Sequence, residues 1–363
     1  SLQFPHLRLA MMALLLTLIA NIGVTSLVGS FRLALTDWLE TRLSADFYVT
    51  AGVINADTIA GEAWVRSAHR RVVAETSFAG RTMTVVGVDV GAPDFGPSNV
   101  IDGAPNSFID WSLGSGKIER VFANEQLRYL AGIKVGDTIA LETELGARLF
   151  EVLGFFHDYG NVNFSLHLPS HRFNKLYSSA KPQGWGLWIT DDEQEAAELG
   201  LSELGLEPTQ WVSQGDVLAL SLAIFDRTFA ITRALNTLTL LVAAVAIFTS
   251  LLAVYQFRRP EYALWRSLGM SWLAFFAVSG FPVVLMTIVV LALALPLGVA
   301  LSWLLIHKIN VISFGWTMPV IVAREPIIFL FSVVVVVVVA AFLLASIRQR
   351  TVVNTALKSL AGE

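Results

Sequence analysis

The chain of 363 residues is 55% hydrophobic and only 15% charged, with a mean hydropathy of +0.62 and a formal net charge of −4. Soluble domains carry about 25% charged residues, so this composition excludes a soluble globular protein and indicates an integral membrane protein. The sequence has no cysteine, which excludes a disulfide framework and leaves the redox compartment open.

Charge is distributed unevenly along the chain. Residues 31–230 hold 26 of the 29 acidic and 15 of the 25 basic residues, a net charge of −11, whereas the rest of the chain has a net charge of +7. A polar stretch of this length can bury a core of its own. We therefore expect one polar domain inserted into a membrane unit.

Four segments are apolar enough to cross a bilayer as helices, which takes about 20 residues. They are residues 9–28, 235–255, 272–306 and 327–347. The third would be roughly 50 Å long as a helix. We expect it to tilt, to protrude from the bilayer, or to break near Pro282 or Pro296.

Basic residues near the ends of the spans predict the orientation, because Lys and Arg concentrate in cytoplasmic loops. Such residues follow the second and the fourth span: Arg258, Arg259, Arg266, Arg348, Arg350 and Lys358. Both of these ends are therefore expected in the cytoplasm. The loop 308–325 and the acidic domain then lie outside, with the N-terminus inside.

The polar domain reads as α+β, because short β-like runs alternate with turn signals and helical patches. The runs are "DFYVTAGVI", "RTMTVVGVDV", "DTIALETE", "RLFEVLGFF" and "GLWIT". The stretch "VFANEQLRYLAGIKVGDTIAL" (residues 121–141) predicts a strand, a short helix, a turn with glycine and another strand.

Helical periodicity continues from the membrane into this domain at both of its ends. Phe31, Leu35, Trp38 and Leu39 follow the first span at helical spacing, and "DVLALSLAIFDRTFAITRAL" (216–235) leads into the second. Two such helices could form a stalk that carries motion between the membrane and the outer domain.

The predicted architecture is a membrane protein of four transmembrane helices with an inserted extracytoplasmic α+β domain. In chain order we expect a first transmembrane helix (1–30), a stalk helix (31–44), the α+β domain (45–213), a second stalk helix (214–234), a second transmembrane helix (235–255), a cytoplasmic helix (258–271), a third transmembrane helix (272–306), an extracytoplasmic loop (307–326), a fourth transmembrane helix (327–347) and a cytoplasmic tail (348–363).

Catalytic and metal motifs are weak. "GSGK" (114–117) fails as a phosphate loop, since Trp111 and Ile118 stand where the motif needs Gly and Ser or Thr. His167 and His171 have a spacing that suits a metal on a helix, but Pro169 interrupts it. With the nearby His157 and Asp158, these two histidines are predicted to be polar loop residues. No GxSxG motif occurs, so hydrolase activity is disfavoured.

Small residues four apart in the first span let another helix approach closely. The candidate helix-packing residues are Asn21, Thr25, Ser26, Gly29 and Ser30. They could form a subunit interface or pack within the bundle of this chain. The amide of Asn21 needs a partner, either on another helix or at a backbone carbonyl one turn away.

The loop after the second span, "RRPEYALWRSLGMS" (258–271), predicts a short amphipathic helix. Leu264, Trp265 and Leu268 share one side of it. Glu261 suits the positive N-terminus of the helix and Gly269 can end it. By composition alone, this helix could equally be an interfacial anchor.

This helix resembles the coupling helix of the FtsX-like ABC permease family, with its basic pair, Glu, apolar residues, Leu, Arg, a small residue, Leu and Gly. The residues on that pattern are Arg258, Arg259, Glu261, Leu264, Arg266, Leu268 and Gly269, whereas Pro260 departs from it and Trp265 is bulkier than the usual Leu. The order of one span, a large domain, three spans and a basic tail is also similar to that family. In the tail, "NTALKSL" (354–360) looks like the "P-x-x-ALR" ending of the family without its Pro.

The resemblance implies a type VII ABC system with a MacB-type outer domain. A separate cytoplasmic ATPase dimer would bind ATP and Mg²⁺, so no cofactor is expected on this chain, which would be a non-catalytic subunit of the bacterial inner membrane. Its cargo would be lipid, lipoprotein or hydrophobic or antimicrobial peptide on the periplasmic side. Expected partners are the ATPase, a second permease half or subunit, membrane lipids and a periplasmic protein, but no nucleic acid.

The resemblance also implies which residues of the coupling helix would contact the ATPase. Leu264, Trp265 and Leu268 would enter a groove of the ATPase, with Arg266 or Glu261 making polar contacts.

The stretches "ANIGVTSLVGSFRLALTDWL" and "IFDRTFAITRAL" look like the second repeat of tandem permeases, which favours the C-terminal half of a longer polypeptide. Two alternatives are an activator of a periplasmic enzyme and a membrane-anchored ligand sensor.

Overall fold

The computed structural model describes residues 5–50, 52, 56–93, 95–96, 99–103, 106–113, 118–190, 193–257, 261, 264–265, 268–322 and 324–361. The chain divides into two compact units. The helical unit comprises Ser1–Ser30, Arg227–Leu305 and Val320–Glu363, and the α+β unit comprises Phe31–Asp226 and Ile306–Pro319.

Four long helices in the described residues are apolar enough to cross a membrane, which confirms the four predicted spans. They are α1 (Pro5–Arg42), α7 (Gln214–Phe257), α8 (Trp272–Leu304) and α10 (Arg324–Ala361). All four contribute to the core of the helical unit, among others through Leu18, Ile247, Val290 and Val334. Helices α1 and α7 run without interruption from their spans into the α+β unit, to which residues 31–42 of α1 and 214–226 of α7 belong. These two helix parts cover most of the predicted stalk helices and are called the stalk below.

Helix α8 is continuous through Pro282 and Pro296, so the chain does not break at either residue. A π-helical turn, Leu305–Asn310, and helix α9, Val311–Phe314, prolong it. Gly315 then ends the helical path with φ of +76°, a conformation that glycine adopts at little cost. The predicted break is therefore absent, and the helical path of the third span continues into the α+β unit.

The α+β unit is built on a mixed sheet whose strands run in the order β10-β1-β9-β2-β3-β8-β5-β7-β4, with β6 paired to β7. The strands are β1 Phe47–Thr50, β2 Val65–Phe78, β3 Arg81–Val88, β4 Val100–Gly103, β5 Glu119–Asn124, β6 Thr138–Thr143, β7 Gly146–Phe156, β8 Phe164–Pro169, β9 Pro182–Ile189 and β10 Trp211–Ser213. The pairs β3–β8 and β5–β7 are parallel, and the remaining pairs are antiparallel.

Short helices cover this sheet and complete the predicted α+β class. They are α2 Ala56–Ile59, α3 Ser107–Leu113, α4 Glu125–Ala131, α5 Ser170–Leu176 and α6 Gln194–Glu203. The predicted series of strand, helix, turn and strand over residues 121–141 is confirmed as β5, α4 and β6. The core between the helices and the sheet contains Leu127, Phe150 and Phe173.

Two features of the α+β unit differ from expectation. Strand β2 has 14 residues and lies inside the sheet. Its sequence "VRSAHRRVVAETSF" alternates only weakly between apolar and polar residues, and only Val72 in it is fully buried.

His167 was predicted in a polar loop, which is wrong: it lies in β8 and is 2% exposed. Its ring stacks on Phe156 at a centroid distance of 4.1 Å, and burial lowers the pKa of His167 so that the imidazole is neutral.

Candidate functional site: the membrane-surface helix and the stalk

The predicted coupling helix ends in a Schellman-type turn. The backbone N–H of Met270 donates to the carbonyl of Trp265 at 3.1 Å, five residues back, and the N–H of Leu268 donates to the carbonyl of Leu264 at 3.1 Å. Gly269 between them has φ of +89°. This geometry is the usual way in which a glycine ends a helix. Glu261, Leu264 and Trp265 are helical, whereas Arg258, Arg259 and Arg266 lie outside the described residues.

The apolar residues of this helix have two different environments. Trp265 and Met270 are half-buried and pack against the core of the helical unit. Leu264 and Leu268 are 59% and 78% exposed. Apolar residues at such exposure suit contact with another protein or with lipid. The helix is therefore fixed to the bundle by one part of its surface and presents another part outward.

The helix-packing residues of α1 also divide into two groups. Asn21, Ser26 and Ser30 are buried inside the chain, and the hydroxyl of Ser30 accepts from the N–H of Ile321 at 2.8 Å. Thr25 is half-buried, and a Cβ added at Gly29 would meet no atom within 4 Å. A subunit interface stays a prediction, for which Thr25 and Gly29 offer the more open surface.

The side-chain amide of Asn21 bonds to both kinds of partner expected for it, a backbone carbonyl one turn away and a group on another helix. Its amide nitrogen donates to the carbonyl of Thr17 at 3.0 Å and to the hydroxyl of Thr239 on α7 at 3.1 Å. Asn21 is 4% exposed. The second bond joins the first and second spans inside the helical unit.

Replacing Asn21 by Leu should destabilise the helical unit by about 0.6–2 kcal/mol, the range for hydrogen bonds between membrane helices. Thermal unfolding in detergent measures the change. Thr239→Val should cost a similar amount, and the double variant should cost less than the sum of the two. Additive effects would contradict a direct bond between these side chains.

The stalk is held together at several levels within the α+β unit. Arg32 of α1 pairs with Asp226 of α7 at 3.4 Å, and the rings of Phe31 and Phe225 meet edge to face at 5.2 Å. At its outer end, the side chain of Gln214 donates to the carbonyl of Leu43. Because an exposed ion pair contributes little, the aromatic contact and the partly buried hydrogen bond of Gln214 are the stronger links.

The segment 306–319, which follows the third span, packs inside the α+β unit. Trp316 is buried, and its ring lies 5.2 Å from Phe31 of the stalk and 5.0 Å from Tyr159. A Cβ at Gly315 would come within 2.7 Å of Leu130 on α4, so only glycine allows this approach. The segment thus contacts both the stalk and the sheet domain.

Glu125 is the polar centre of this contact. It is 3% exposed and lies at the start of α4. One carboxylate oxygen accepts from the hydroxyl of Thr317 at 2.8 Å. The other lies 2.7 Å from Nδ1 of His157 and accepts from the N–H of Thr317 at 3.3 Å. A buried carboxylate needs such partners, because an unpaired one is costly.

Neighbouring polar residues hold the loop that carries His157. Gln126 donates to the carbonyls of Asp158 and Asn161, both at 2.8 Å, and Asn124 donates to the carbonyl of Asn163 at 2.9 Å. Burial raises the pKa of the Asp158 carboxyl. The indole N–H of Trp38 on the stalk donates to the carbonyl of His157 at 2.9 Å. The loop therefore joins the stalk, α4 and the segment 306–319.

The structure separates the histidines and the carboxylate that are close in sequence. His157 lies near Glu125, His167 is inside the sheet and His171 is on α5. Within the described residues, no group of three or more His, Cys, Asp or Glu side chains could hold a metal ion. The "GSGK" stretch, residues 114–117, lies outside the described residues.

Sequence reasoning missed the Glu125 network. Residues 125 and 317 are far apart in the chain, and neither belongs to a motif of known chemistry. The one available signal was the cluster of polar residues "NEQ" (124–126) between an apolar strand and an amphipathic helix.

Comparisons with known proteins agree with the resemblance drawn from the coupling helix. The family model of the FtsX-like permease C-terminal domain matches residues 233–352. An uncharacterised ABC transporter permease protein of Mycobacterium tuberculosis is 27% identical over 340 residues. That alignment covers 85% of this chain and 38% of the relative, so the chain spans well under half of the length of that protein.

Two solved structures resemble part of the chain at 13% identity. The extracellular domain of the noncanonical ABC-type transporter YknZ from Gram-positive bacteria has a TM-score of 0.31 and covers 46% of this chain and 89% of its own. The periplasmic region of MacB from Actinobacillus actinomycetemcomitans has a TM-score of 0.33, with 49% and 91% covered.

Proposed function

We propose that this chain, an ABC transporter permease with an FtsX-like domain, is the non-catalytic membrane subunit of a mechanically coupled ABC system. A separate cytoplasmic ATPase dimer hydrolyses ATP, and this chain carries the resulting motion to its α+β unit on the periplasmic side of the bacterial inner membrane. The work is done there on lipid, lipoprotein or hydrophobic peptide cargo.

The observation that carries this proposal is that three segments continuous with membrane helices belong to the α+β unit. Two of them are the outer parts of α1 and α7, and the third is residues 306–319 after α8. Phe31 of α1 contacts both Phe225 of α7 and Trp316 of the segment 306–319. A domain tethered only by flexible linkers would have no such contacts, so the arrangement suits transmission of force.

The predicted coupling helix (residues 258–271), called the membrane-surface helix from here on, is the part of the chain on which the ATPase would act. Trp265 and Met270 pack on the core of the helical unit, so a displacement of this helix acts directly on the spans. Leu264 and Leu268, which are exposed, are the residues available to an ATPase groove. Helix-in-groove recognition by a few apolar anchors is a common mode of protein contact.

The composition of the spans supports mechanical work over conduction of a polar solute. The predicted spans 9–28, 235–255, 272–306 and 327–347 contain no Asp, Glu, Lys or Arg. Ionisable residues inside a membrane usually mark pathways for ions and polar substrates. Cargo that stays at the outer membrane surface needs no such pathway.

The direct test is reconstitution of the full chain with each ABC ATPase that a neighbouring gene encodes. We expect the ATPase to co-purify and its ATP hydrolysis in lipid nanodiscs to exceed that of the ATPase alone. An ATPase with a Walker-A Lys→Ala change is the control for contaminating hydrolysis. If neither binding nor stimulation occurs with any neighbouring ATPase, the proposed coupling is wrong.

A further inference from the structure

A cleft of about 200 Å³ lies in the α+β unit between the stalk part of α1 and the sheet, and we call it the stalk cleft. One wall is a single face of α1, since Ala34, Asp37, Trp38, Thr41 and Arg42 recur there at helical spacing. The volume equals the share of about seven water molecules in the liquid. It therefore suits a small molecule, because sites for drug-sized ligands begin at about 300 Å³.

The opposite wall is the face of the sheet that carries His167. Val86 of β3 and Phe122 of β5 are the strand partners of His167, and such partners share one face of a sheet. Both belong to the apolar cluster that also contains Phe95 and Phe156. Phe95, Phe156 and His167 line the stalk cleft, so this wall consists of rings that packing holds in place.

The imidazole of His167 needs a hydrogen bond that the chain does not supply. Its side chain is 2% exposed, and within the residues that the structure describes Nδ1 has no hydrogen-bond partner. Buried polar atoms nearly always have one, because an unpaired atom costs free energy. In a neutral imidazole one nitrogen donates and the other accepts. Since His167 lines the stalk cleft, a hydroxyl group in the cleft can bond to this ring.

Charges of both signs at the stalk cleft act on one another. Asp37, Arg42 and Asp158 are in its lining, whereas Arg71 lies outside the lining on β2. Burial raises the pKa of the Asp158 carboxyl, and the positive charges of Arg42 and Arg71 oppose this rise. Two carboxyl groups therefore stand against two guanidinium groups, and neither sign is in clear excess.

The carboxylate of Glu125 also acts electrostatically on the lining, through Tyr159. It is already bonded to the hydroxyl of Thr317 and lies 2.7 Å from Nδ1 of His157. A ligand with a net charge would lose its hydration in the cleft without gaining a free opposite charge. The balance of charges therefore favours an uncharged ligand.

The polar lining offers both donors and acceptors. The side-chain carbonyl of Asn99 accepts from the N–H of Gly96 at 2.7 Å, so the amide NH₂ of Asn99 is its donor toward a ligand. The hydroxyl of Thr41 donates to the backbone carbonyl of Asp37 at 2.8 Å and can still accept. The carboxylate of Asp37 accepts, and Arg42 donates. Hydroxyl groups both donate and accept, so a molecule rich in hydroxyls matches this lining.

Aromatic rings give the stalk cleft a rigid apolar surface. Trp38 is fixed by the bond of its N–H to the carbonyl of His157 at 2.9 Å and by an edge-to-face contact with Tyr159 at 6.0 Å. Phe156 is 5% exposed and stacks on His167. Such rings offer contact area at low entropic cost. A sugar ring combines an apolar C–H face, which packs on an aromatic ring, with hydroxyls around its edge.

We propose that the stalk cleft binds an uncharged polyhydroxy molecule of the size of one sugar ring, either a free monosaccharide or the terminal sugar of a larger glycan. Its hydroxyls bond to Asp37, Asn99 and His167. Its ring packs on Trp38 and Phe156. A role of the sugar in moving cargo rests on the proposed function, whereas the binding itself does not.

The site joins the stalk to the sheet. Asp37 and Trp38 are on the outer part of α1, and His167 is on β8. All three belong to the α+β unit. A sugar held by both elements would fix α1 against the sheet, so a movement of α1 relative to the sheet would change the affinity for the sugar.

The test measures binding of sugars to the full chain in nanodiscs of neutral lipid, without any ATPase. The probes are D-glucose, D-galactose, D-mannose and the methyl glycoside of each, and saturation-transfer difference NMR gives the dissociation constants. We expect saturable binding of at least one hexose. Cyclohexanol, a ring of similar size with one hydroxyl, should bind at least about tenfold more weakly, because it leaves most polar groups of the lining unpaired.

Two variants test the lining. Asp37→Ala and His167→Phe should each weaken binding at least about tenfold, since each removes a hydrogen bond to the sugar. Glu40→Ala is the matched control, because Glu40 is also exposed on α1 but does not line the cleft. It should bind the sugar as wild type does. If His167→Phe does not fold, Asp37→Ala decides with the same criterion.

The remaining outcomes identify the source of the sugar or reject the site. Binding of a hexose and of its methyl glycoside assigns the site to terminal sugars as well, and binding of the free hexose alone assigns it to soluble monosaccharides. No saturable binding of any probe, or equal affinities of wild type and Asp37→Ala, would overturn the site. Tighter binding of glucosamine or glucuronate than of glucose would overturn the choice of an uncharged ligand. Because the assay contains no ATPase, its failure leaves the proposed coupling untouched, and the reverse also holds.

Discussion

Under the proposed function, Leu268→Asp should abolish the stimulation of ATP hydrolysis by this chain while leaving the chain folded. Leu268 is 78% exposed at the end of the membrane-surface helix, so the substitution creates no cavity. In a complex, the same carboxylate would be buried without a partner. That costs several kcal/mol, and each 1.4 kcal/mol of lost binding is about a tenfold loss of affinity.

The measurement is ATP hydrolysis by the reconstituted complex, with the melting temperature of the chain alone as the test of folding. Leu145→Asp is a matched control, since Leu145 is 58% exposed in the turn between β6 and β7. It should retain wild-type stimulation. Arg266→Glu should also abolish stimulation by reversing the charge of the predicted polar contact. Wild-type hydrolysis with both Leu268→Asp and Arg266→Glu would exclude this helix as the coupling element.

Trp265 shows why the sequence pattern alone did not define the coupling surface. On a helical projection it shares a side with Leu264 and Leu268, and all three were predicted to enter an ATPase groove. In the structure Trp265 packs with Met270 on the core of the helical unit. A projection gives angles around one helix, but it does not say which side faces the rest of the same chain.

Elements with a strong local signal were predicted well. The four spans follow from long uncharged apolar runs, and the helix α4 between β5 and β6 follows from a clear change of periodicity. Strand β2 was not predicted because its sequence lacks the alternation of buried apolar and exposed polar residues that marks a strand. Its charged residues line a cleft or lie on a partly exposed surface. His167 was misplaced because its ring is buried against Phe95, which is distant in sequence, and against Phe156 of β7, and only the fold brings these rings together.

The candidate site has a local sequence signal at the predicted coupling helix and none in the α+β unit. The coupling helix is one contiguous stretch, so its pattern can be read directly. The contact of the segment 306–319 with α4 joins residues that are 192 positions apart at Glu125 and Thr317. Such a contact has no local sequence signature, because Glu, Thr and His are common residues whose pairing only the fold determines.

Glu125→Ala should release the segment 306–319 from the α+β unit and lower the stability of that unit by about 1–3 kcal/mol, the usual cost of leaving a buried hydrogen-bond donor without its acceptor. The loss leaves the hydroxyl and N–H of Thr317 and the ring of His157 without their acceptor. In the proposed mechanism this detaches one of three links to the membrane helices, so coupled outer-domain motion should fall even if the ATPase still binds.

Hydrogen exchange measured by mass spectrometry on the full chain tests this directly. Amides of residues 316–318 should exchange faster in Glu125→Ala, because the N–H of Thr317 loses its acceptor. Thr317→Val, which removes one hydroxyl at constant shape, should produce a smaller change of the same kind. Glu142→Ala removes an exposed carboxylate on β6 and should match wild type. Unchanged exchange at 316–318 in Glu125→Ala would show that Trp316 and Gly315 hold the segment without the carboxylate, and the third link would then be apolar packing alone.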